Sequence, residues 1–223
     1  MKTAIILLSA GLSKRYGGSR SKLLEPLGKR RVIDITINSL KHACPSGEIY
    51  LVSTPEFRKE SALDLRWIEG GARRQDSARN GIISVEADRY LIHDAARPFI
   101  SKQLVDRLLD ALSSFDGVAP GLPVTDTLKR ISNNSIFETP DRNEFVFVQT
   151  PQALKAESAK KAFQSVDWNV EYTDDLAVME KAGFKTGIVE GEPENIKITR
   201  PEDLIRAKEI YKNFSKGFYD AND

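Results

Sequence analysis

Arg15 and Lys22 flank the Gly17-Gly18 pair, and two cations around so flexible a turn could grip a polyphosphate from both sides. The loop that leads to them, Ser9-Ala10-Gly11-Leu12-Ser13-Lys14-Arg15, follows a short apolar run and begins with small residues. Such a loop puts backbone N–H groups where an anion can come close. It is not a dinucleotide fingerprint, because no third glycine follows at the required spacing. Nor is it a phosphate loop ending in Gly-Lys-Ser/Thr, because Lys14 has no glycine before it. On these residues alone, a nucleotide site and a simple turn both stand. A second cluster is His93-Asp94-Ala95-Ala96-Arg97-Pro98, after another apolar run. An acid just past a parallel strand is a usual place for a Mg²⁺ ligand beside a phosphate. The alternative is a turn in which Asp94 caps and pairs with Arg97. His93 reads as a packed, hydrogen-bonded side chain rather than a ligand. No serine sits in a Gly-x-Ser-x-Gly elbow, so a hydrolase triad is a poor fit.

These clusters must be carried by an alternation of strands and helices. Residues 3–8 form a continuous apolar run, as expected for a strand covered on both faces of a parallel sheet. The spacing of Val32, Ile33, Ile35, Ile37 and Leu40 predicts a helix over 32–42. Strands are expected at 49–52, 90–93 and 118–122, with a helix over 73–87 between the first two. Leu104, Val105, Leu108, Leu109 and Leu112 share one face of a helix over 101–115, which Ser101 is placed to cap. From 123 to 152 the rhythm breaks. Two β-like segments, 125–131 and 136–139, flank Asn133-Asn134, a plausible hairpin turn, and are too polar for central strands. They suggest a projecting arm. Helices return at 155–164 and 175–182, then strands at 186–189 and 196–198. Thr199 with Glu202 forms a capping box for a last helix, with Pro201 in its first turn and a frayed tail after Asn213. The pattern predicts a three-layer, Rossmann-like α/β fold with a mainly parallel central sheet. It predicts a single domain over 1–223, with an inserted arm at about 123–150.

Composition narrows the function classes. The 223 residues are 40% apolar and 29% charged with a net charge of +1, ordinary for a globular protein. A single cysteine, Cys44, excludes an internal disulfide framework and a multi-cysteine zinc site, and two histidines give little for a histidine-rich metal centre. No stretch approaches the roughly 20 apolar residues of a membrane helix. The start, with Lys2 before an apolar run, resembles a secretory leader, but Lys14, Arg15, Arg20 and Lys22 follow too soon. A buried first strand and a cytoplasmic protein are the expectation. Residues 1–31 hold eight Lys or Arg against one acid, Glu25, so the positive charge is local. That favours a confined anion site over a nucleic-acid surface, since no aromatic platforms interleave the cluster.

Taken together, the blocks resemble the 2-C-methyl-D-erythritol 4-phosphate cytidylyltransferases. The resemblance runs from Ser9-Ala10-Gly11-Leu12-Ser13-Lys14-Arg15 with Lys22, through His93-Asp94-Ala95-Ala96-Arg97-Pro98-Phe99 and Pro123-Val124-Thr125-Asp126-Thr127-Leu128-Lys129-Arg130. It continues at Asp141-Arg142-Asn143, Gln149-Thr150-Pro151-Gln152, Thr173-Asp174-Asp175 and Asn195-Ile196-Lys197-Ile198-Thr199-Arg200-Pro201. The chain departs from the family in having Ser21-Lys22-Leu23 where Pro-Lys-Gln is common, and Ser13 where a second glycine is frequent. The resemblance implies transfer of CMP from CTP to a polyol phosphate with release of pyrophosphate, in non-mevalonate isoprenoid synthesis. It implies that Arg15 and Lys22 stabilise the transition state and that Asp94 holds Mg²⁺ or another divalent cation. Arg142 and Lys197, with Thr127 and Thr173, would position the acceptor phosphate. Ala10, Gly11, Gly70, Gly71 and Ser77 would meet the base, with Leu12, Ser13 and Ala95 in the same nucleotide-binding set. It further implies a homodimer with shared active sites, binding neither nucleic acid nor membrane. The rivals are a cytidylyltransferase for another polyol phosphate, such as ribitol 5-phosphate, and a non-catalytic nucleic-acid-binding or regulatory module.

Overall fold

Six consecutive residues with no exposed side need cover on both faces, and the fold supplies it. In a computed structural model, which describes residues 1–10 and 21–214, β1 (Thr3–Leu8) is buried along its whole length. Ile5 and Leu7 enter one apolar cluster, whereas Ala4, Ile6 and Leu8 enter another on the opposite face. Each fully buried Ile or Leu contributes about 1.5–3 kcal/mol. After a 3-10 turn at Lys22–Leu24 come the short strands β2 (Pro26–Leu27) and β3 (Arg30–Arg31), then α1 (Val32–Ala43), β4 (Glu48–Ser53) and α2 (Pro55–Ser61). Next are β5 (Arg66–Glu69), α3 (Arg74–Ser84), β6 (Arg89–Asp94), α4 (Lys102–Ala111) and β7 (Gly117–Pro123). The excursion holds β8 (Arg130–Ser132) and β9 (Ser135–Glu138), a 3-10 turn at Arg142–Glu144, and β10 (Val146–Val148). The chain closes with β11 (Gln152–Lys155), α5 (Ala156–Ser165), α6 (Asp175–Lys181), β12 (Thr186–Glu190) and α7 (Pro201–Phe214).

The main sheet runs β10-β7-β11-β6-β1-β4-β5, with β12 added to β7. β6, β1, β4 and β5 are parallel neighbours, and β12 is parallel to β7. β11 is antiparallel to both β6 and β7, which makes those two parallel to each other across it. Helices α1, α4 and α7 cover one face, through Ile33, Leu40, Leu104, Leu108 and Ala207. The other face carries α3, α5 and α6, through Ala78, Ile82, Phe163, Leu176 and Met179. The architecture is the expected three-layer α/β fold.

Several elements differ from the sequence expectation. No strand forms at 196–198, where Ile198 N–H donates to Ala96 O at 2.9 Å and Ile196 N–H bonds locally to Glu194 O at 2.7 Å, so the segment lies beside the sheet without a ladder. The first β-like segment of the arm shortens to β8, and β10 rejoins the main sheet on β7 instead of projecting. Ser101 caps α4 as expected, its Oγ accepting the Leu104 N–H at 3.0 Å. At α7, however, Asp203 replaces Glu202 as the capping partner. Its Oδ2 accepts from the Thr199 N–H and hydroxyl and from the Arg200 N–H, at 2.7–2.9 Å. Of the tail expected to fray after Asn213, Phe214 still belongs to α7 and the rest lies outside the described residues.

Candidate active site

Four parallel strands, β6, β1, β4 and β5, end at one rim, and hydrogen bonds tie the loops that leave them. Ser9 donates to Val52 O through both its N–H and its hydroxyl at 2.9 Å, Ala95 N–H donates to Leu8 O at 3.0 Å, and Gly70 N–H to Ser53 O at 2.9 Å. The crevice outside the carboxyl ends of such strands is where open α/β sheets bind ligands. Here it is a cleft of about 570 Å³. Ala10, Lys22, Gly71, Ser77, Asp94, Ala95 and Lys197, all read from the sequence, line it. Gly70 stands just behind: a Cβ there would come within 2.6 Å of the Ala10 Cβ. Ser77 Oγ accepts the Gly71 N–H at 3.1 Å and so shapes that wall. Gly11, Leu12, Ser13 and Arg15 lie outside the described residues.

Asp94 is the electrostatic centre of this cleft. It is 8% exposed, and its Oδ1 accepts from Arg74 Nε at 3.0 Å while Oδ2 accepts from Lys197 Nζ at 2.6 Å. Burial alone would raise its carboxyl, but Arg74 and then Lys197 outweigh it and hold the group well below the usual carboxylate range. Arg97 does not complete the alternative pairing. Its Nη1 donates to Asn195 O at 2.8 Å instead.

His93 is the packed residue the sequence suggested. Its Nε2 stands 2.9 Å from Arg97 O, an atom that can only accept, so Nε2 carries the proton. Nδ1 is then the acceptor for the Thr150 hydroxyl at 3.1 Å, and the same hydroxyl oxygen accepts the Asp94 N–H at 3.1 Å. Burial pushes the imidazole down to about 4, so it is neutral at pH 7. Asn195 extends this network, donating from Nδ2 to Thr150 O at 2.9 Å. The segment carrying Lys197 is thus held by the Arg97 and Asn195 side-chain bonds and the Ile198 backbone bond to Ala96 rather than by a strand ladder.

The sequence reading missed Arg73, Arg74 and Glu171, which also line the cleft. Two arginines at the start of α3 were a signal, because cations at a helix N-terminus oppose the macrodipole and call for another reason to be there. Arg74 has one: Nη1 and Nη2 meet Asp175 at 3.1 and 2.8 Å. Burial works against the charge of Arg74, but Asp175 and Asp94 keep it protonated above its ordinary value. Thr173 is exposed and does not line the cleft. Thr127 and Arg142 stand on the exposed excursion, where Arg142 Nη1 donates to Thr125 O, and the chain does not bring them into its own cleft.

Among the described residues no three potential His, Cys, Asp or Glu ligands cluster as a metal centre, and no helix is long and apolar enough to cross a membrane. Several cations and one buried carboxylate thus share this rim. The family model of IspD, 2-C-methyl-D-erythritol 4-phosphate cytidylyltransferase, matches residues 3–213. The chain belongs to this family. The 2-C-methyl-D-erythritol 4-phosphate cytidylyltransferase of Prochlorococcus marinus is 35% identical over 219 residues, covering 92% of this chain and 96% of that relative. The bifunctional IspD/IspF enzyme of Ruegeria is 37% identical over 223 residues, and the match spans 96% of this chain but 57% of the relative. Among solved structures, the 2-C-methyl-D-erythritol 4-phosphate cytidylyltransferase of Thermus thermophilus superposes with a TM-score of 0.78 at 28% identity, over 95% of this chain and 100% of that one. The 4-diphosphocytidyl-2C-methyl-D-erythritol synthase of Anaerococcus prevotii gives 0.82 at 26%, over 95% and 98%.

Proposed function

We propose that this chain transfers CMP from CTP to 2-C-methyl-D-erythritol 4-phosphate, giving 4-diphosphocytidyl-2-C-methyl-D-erythritol and pyrophosphate, in the non-mevalonate route to isoprenoid precursors. The observation that carries the proposal is the convergence of Lys22, Asp94 and Lys197 on one cleft at the carboxyl ends of parallel strands, in a member of this family. The acceptor's phosphate oxygen attacks the α-phosphorus of CTP, and the bond from that phosphorus to the bridging oxygen breaks as pyrophosphate leaves. A phosphate monoester has its second pKa near about 6, so it is ionised at neutral pH and needs no general base. That suits a cleft whose neighbouring histidine is buried, neutral and bonded at both nitrogens. What the reaction needs is cations to bring two polyanions together and to stabilise the charge that develops on the α-phosphoryl oxygens.

Lys22 is assigned that role, with Arg15 as its partner from the loop. Lys197 is assigned to the acceptor phosphate. Asp94 fits a divalent ion: it is the buried, ionised carboxylate on the cleft, and Mg²⁺ commonly uses one or two carboxylates with substrate phosphates completing its shell. Such an ion, when bound, would neutralise triphosphate charge. Ala10, Gly70, Gly71, Ser77 and Ala95 form the proposed wall for the nucleotide. Arg142, Thr127 and Thr173 are assigned to the acceptor, the first two reaching a neighbouring subunit's site from the arm. The whole chain is read as one catalytic unit of a cytoplasmic homodimer, with no nucleic-acid or membrane partner. Pyrophosphate release from CTP, measured with 2-C-methyl-D-erythritol 4-phosphate and separately with ribitol 5-phosphate, tests the reading. Turnover with the first acceptor is expected, and turnover confined to the second would overturn it.

A further inference from the structure

Arg74 spends its guanidinium on two carboxylates from distant parts of the chain. Nη1 and Nη2 meet Asp175 at the start of α6, at 3.1 and 2.8 Å, while Nε meets Asp94 Oδ1 at the end of β6, at 3.0 Å. Asp175 is itself held. Its N–H and that of Leu176 donate to Gln152 Oε1 at 3.0 and 3.1 Å, and Gln152 Nε2 donates to Asp174 Oδ2 at 2.8 Å. Gln152 opens β11, inside the main sheet. Arg74 is therefore braced against the sheet at one end of its planar fork, and its third donor has one direction left. An aspartate accepting from that donor has its carboxylate plane set. One oxygen is committed, and the other faces the side where Lys197 Nζ stands at 2.6 Å.

We infer that Arg74 is a positioning residue for the proposed cytidylyl transfer, orienting the Asp94 carboxylate so that Oδ2 is presented to the cleft and its Lys197. The inference rests on the activity proposed above. A lysine could supply the charge but not three donors in a fixed fork.

The test is a mutant cycle between Arg74 and Asp94. Removing Arg74 alone leaves Asp175 buried and unpaired, so every chain in the cycle carries Asp175→Asn. The readouts are kcat/KM for 2-C-methyl-D-erythritol 4-phosphate at saturating CTP and Mg²⁺, and the Kd of CTP at saturating Mg²⁺ by calorimetry, which needs no turnover. With Asp94 present, Arg74→Gln is expected to lower kcat/KM and weaken CTP binding by about tenfold or more. In chains that also carry Asp94→Asn, the same change should cost less than about twofold, because the two positions act as one unit. Arg74→Lys should behave as Arg74→Gln does. Equal losses with and without Asp94, in either readout, would overturn the assignment and leave Arg74 a structural tie. A parent chain that binds CTP without turning it over would count against the proposed activity and leave the calorimetric cycle to judge Arg74. A parent that does not bind CTP would count against both.

Discussion

Lys22 and Asp94 line the same cleft with opposite charges, and their substitutions should fail in different ways. Lys22 is expected to act on charge that appears only in the transition state. Lys22→Ala should therefore lower kcat about 10²-fold or more with little change in CTP affinity, as steady-state kinetics beside calorimetry would read. An unchanged kcat with a raised KM would make Lys22 a ground-state contact. Asp94→Asn should keep the fold and shift the Mg²⁺ requirement upward; wild-type behaviour at limiting Mg²⁺ would place the metal elsewhere. His93 makes a prediction about stability. Its imidazole titrates near about 6.5 when unfolded and at about 4 when folded, so between those values the unfolded chain binds the extra proton. Stability contributed by the neutral imidazole is complete above about 6.5 and is lost as pH falls toward 4, in all by about 3 kcal/mol. Denaturant midpoints of the parent and of His93→Gln across that window should diverge at neutral pH and converge in acid. Parallel curves would contradict the burial argument. Lys22 and Asp94 stood out in the sequence by residue type and place beside apolar runs, and Lys197 only through the family resemblance; the structure brings all three to one cleft. Arg74 was not, since its meaning depends on acids 20 and 101 positions away.

α3 shows how an element carries a site. It sits on the sheet through Gly81, where a Cβ would come within 2.5 Å of Ile6 Cγ2. Gly81→Ala gains about 1 kcal/mol of helix propensity but forces α3 off β1, at a packing cost of about 1–3 kcal/mol. Because Arg74 rides on the first turn of the same helix, the melting temperature and kcat should fall together. A thermal scan and an activity assay on one preparation would show it, and an unchanged kcat in a destabilised chain would uncouple the helix from the site. Legibility at this scale followed burial. β1, β4 and β6 are buried at nearly every position, and their apolar runs announce them. β5 is a half-exposed edge strand of sequence RWIE, and α2 buries only Phe57 and Ser61, so neither leaves a periodic signal. Residues 196–198 read as a strand and are not one, because side chains of Arg97 and Asn195 and the backbone bond from Ile198 to Ala96 anchor that segment in place of a ladder.

For the whole molecule, the proposed homodimer turns on the excursion. Residues 125–148 are exposed apart from the half-buried Leu128 and Pro140, and they include Ile131, Ile136, Phe137 and Phe147 at 59–62% exposure. A two-stranded hairpin with apolar side chains in water is marginal alone, and the homodimer proposed above would give it a second copy to pack against about a two-fold axis. If Arg142 serves a neighbour's cleft, an inactive Lys22→Ala chain mixed with an inactive Arg142→Ala chain should recover activity after subunit exchange. Each mixed dimer then holds one site with both residues intact. Confirmed exchange without recovery would end the shared-site reading. The placement of β11 has a consequence of another kind, for the chain as it is made. β6 and β7 are both complete before the excursion begins, yet the strand that joins them comes only after it. A nascent chain halted short of Gln152 therefore carries two finished strands with open edges and nothing between them, a gap that another chain's strand can fill. Synthesis of the excursion sets how long that gap lasts, so the arm's length is also a delay during which the unfinished protein is exposed to its neighbours on the ribosome.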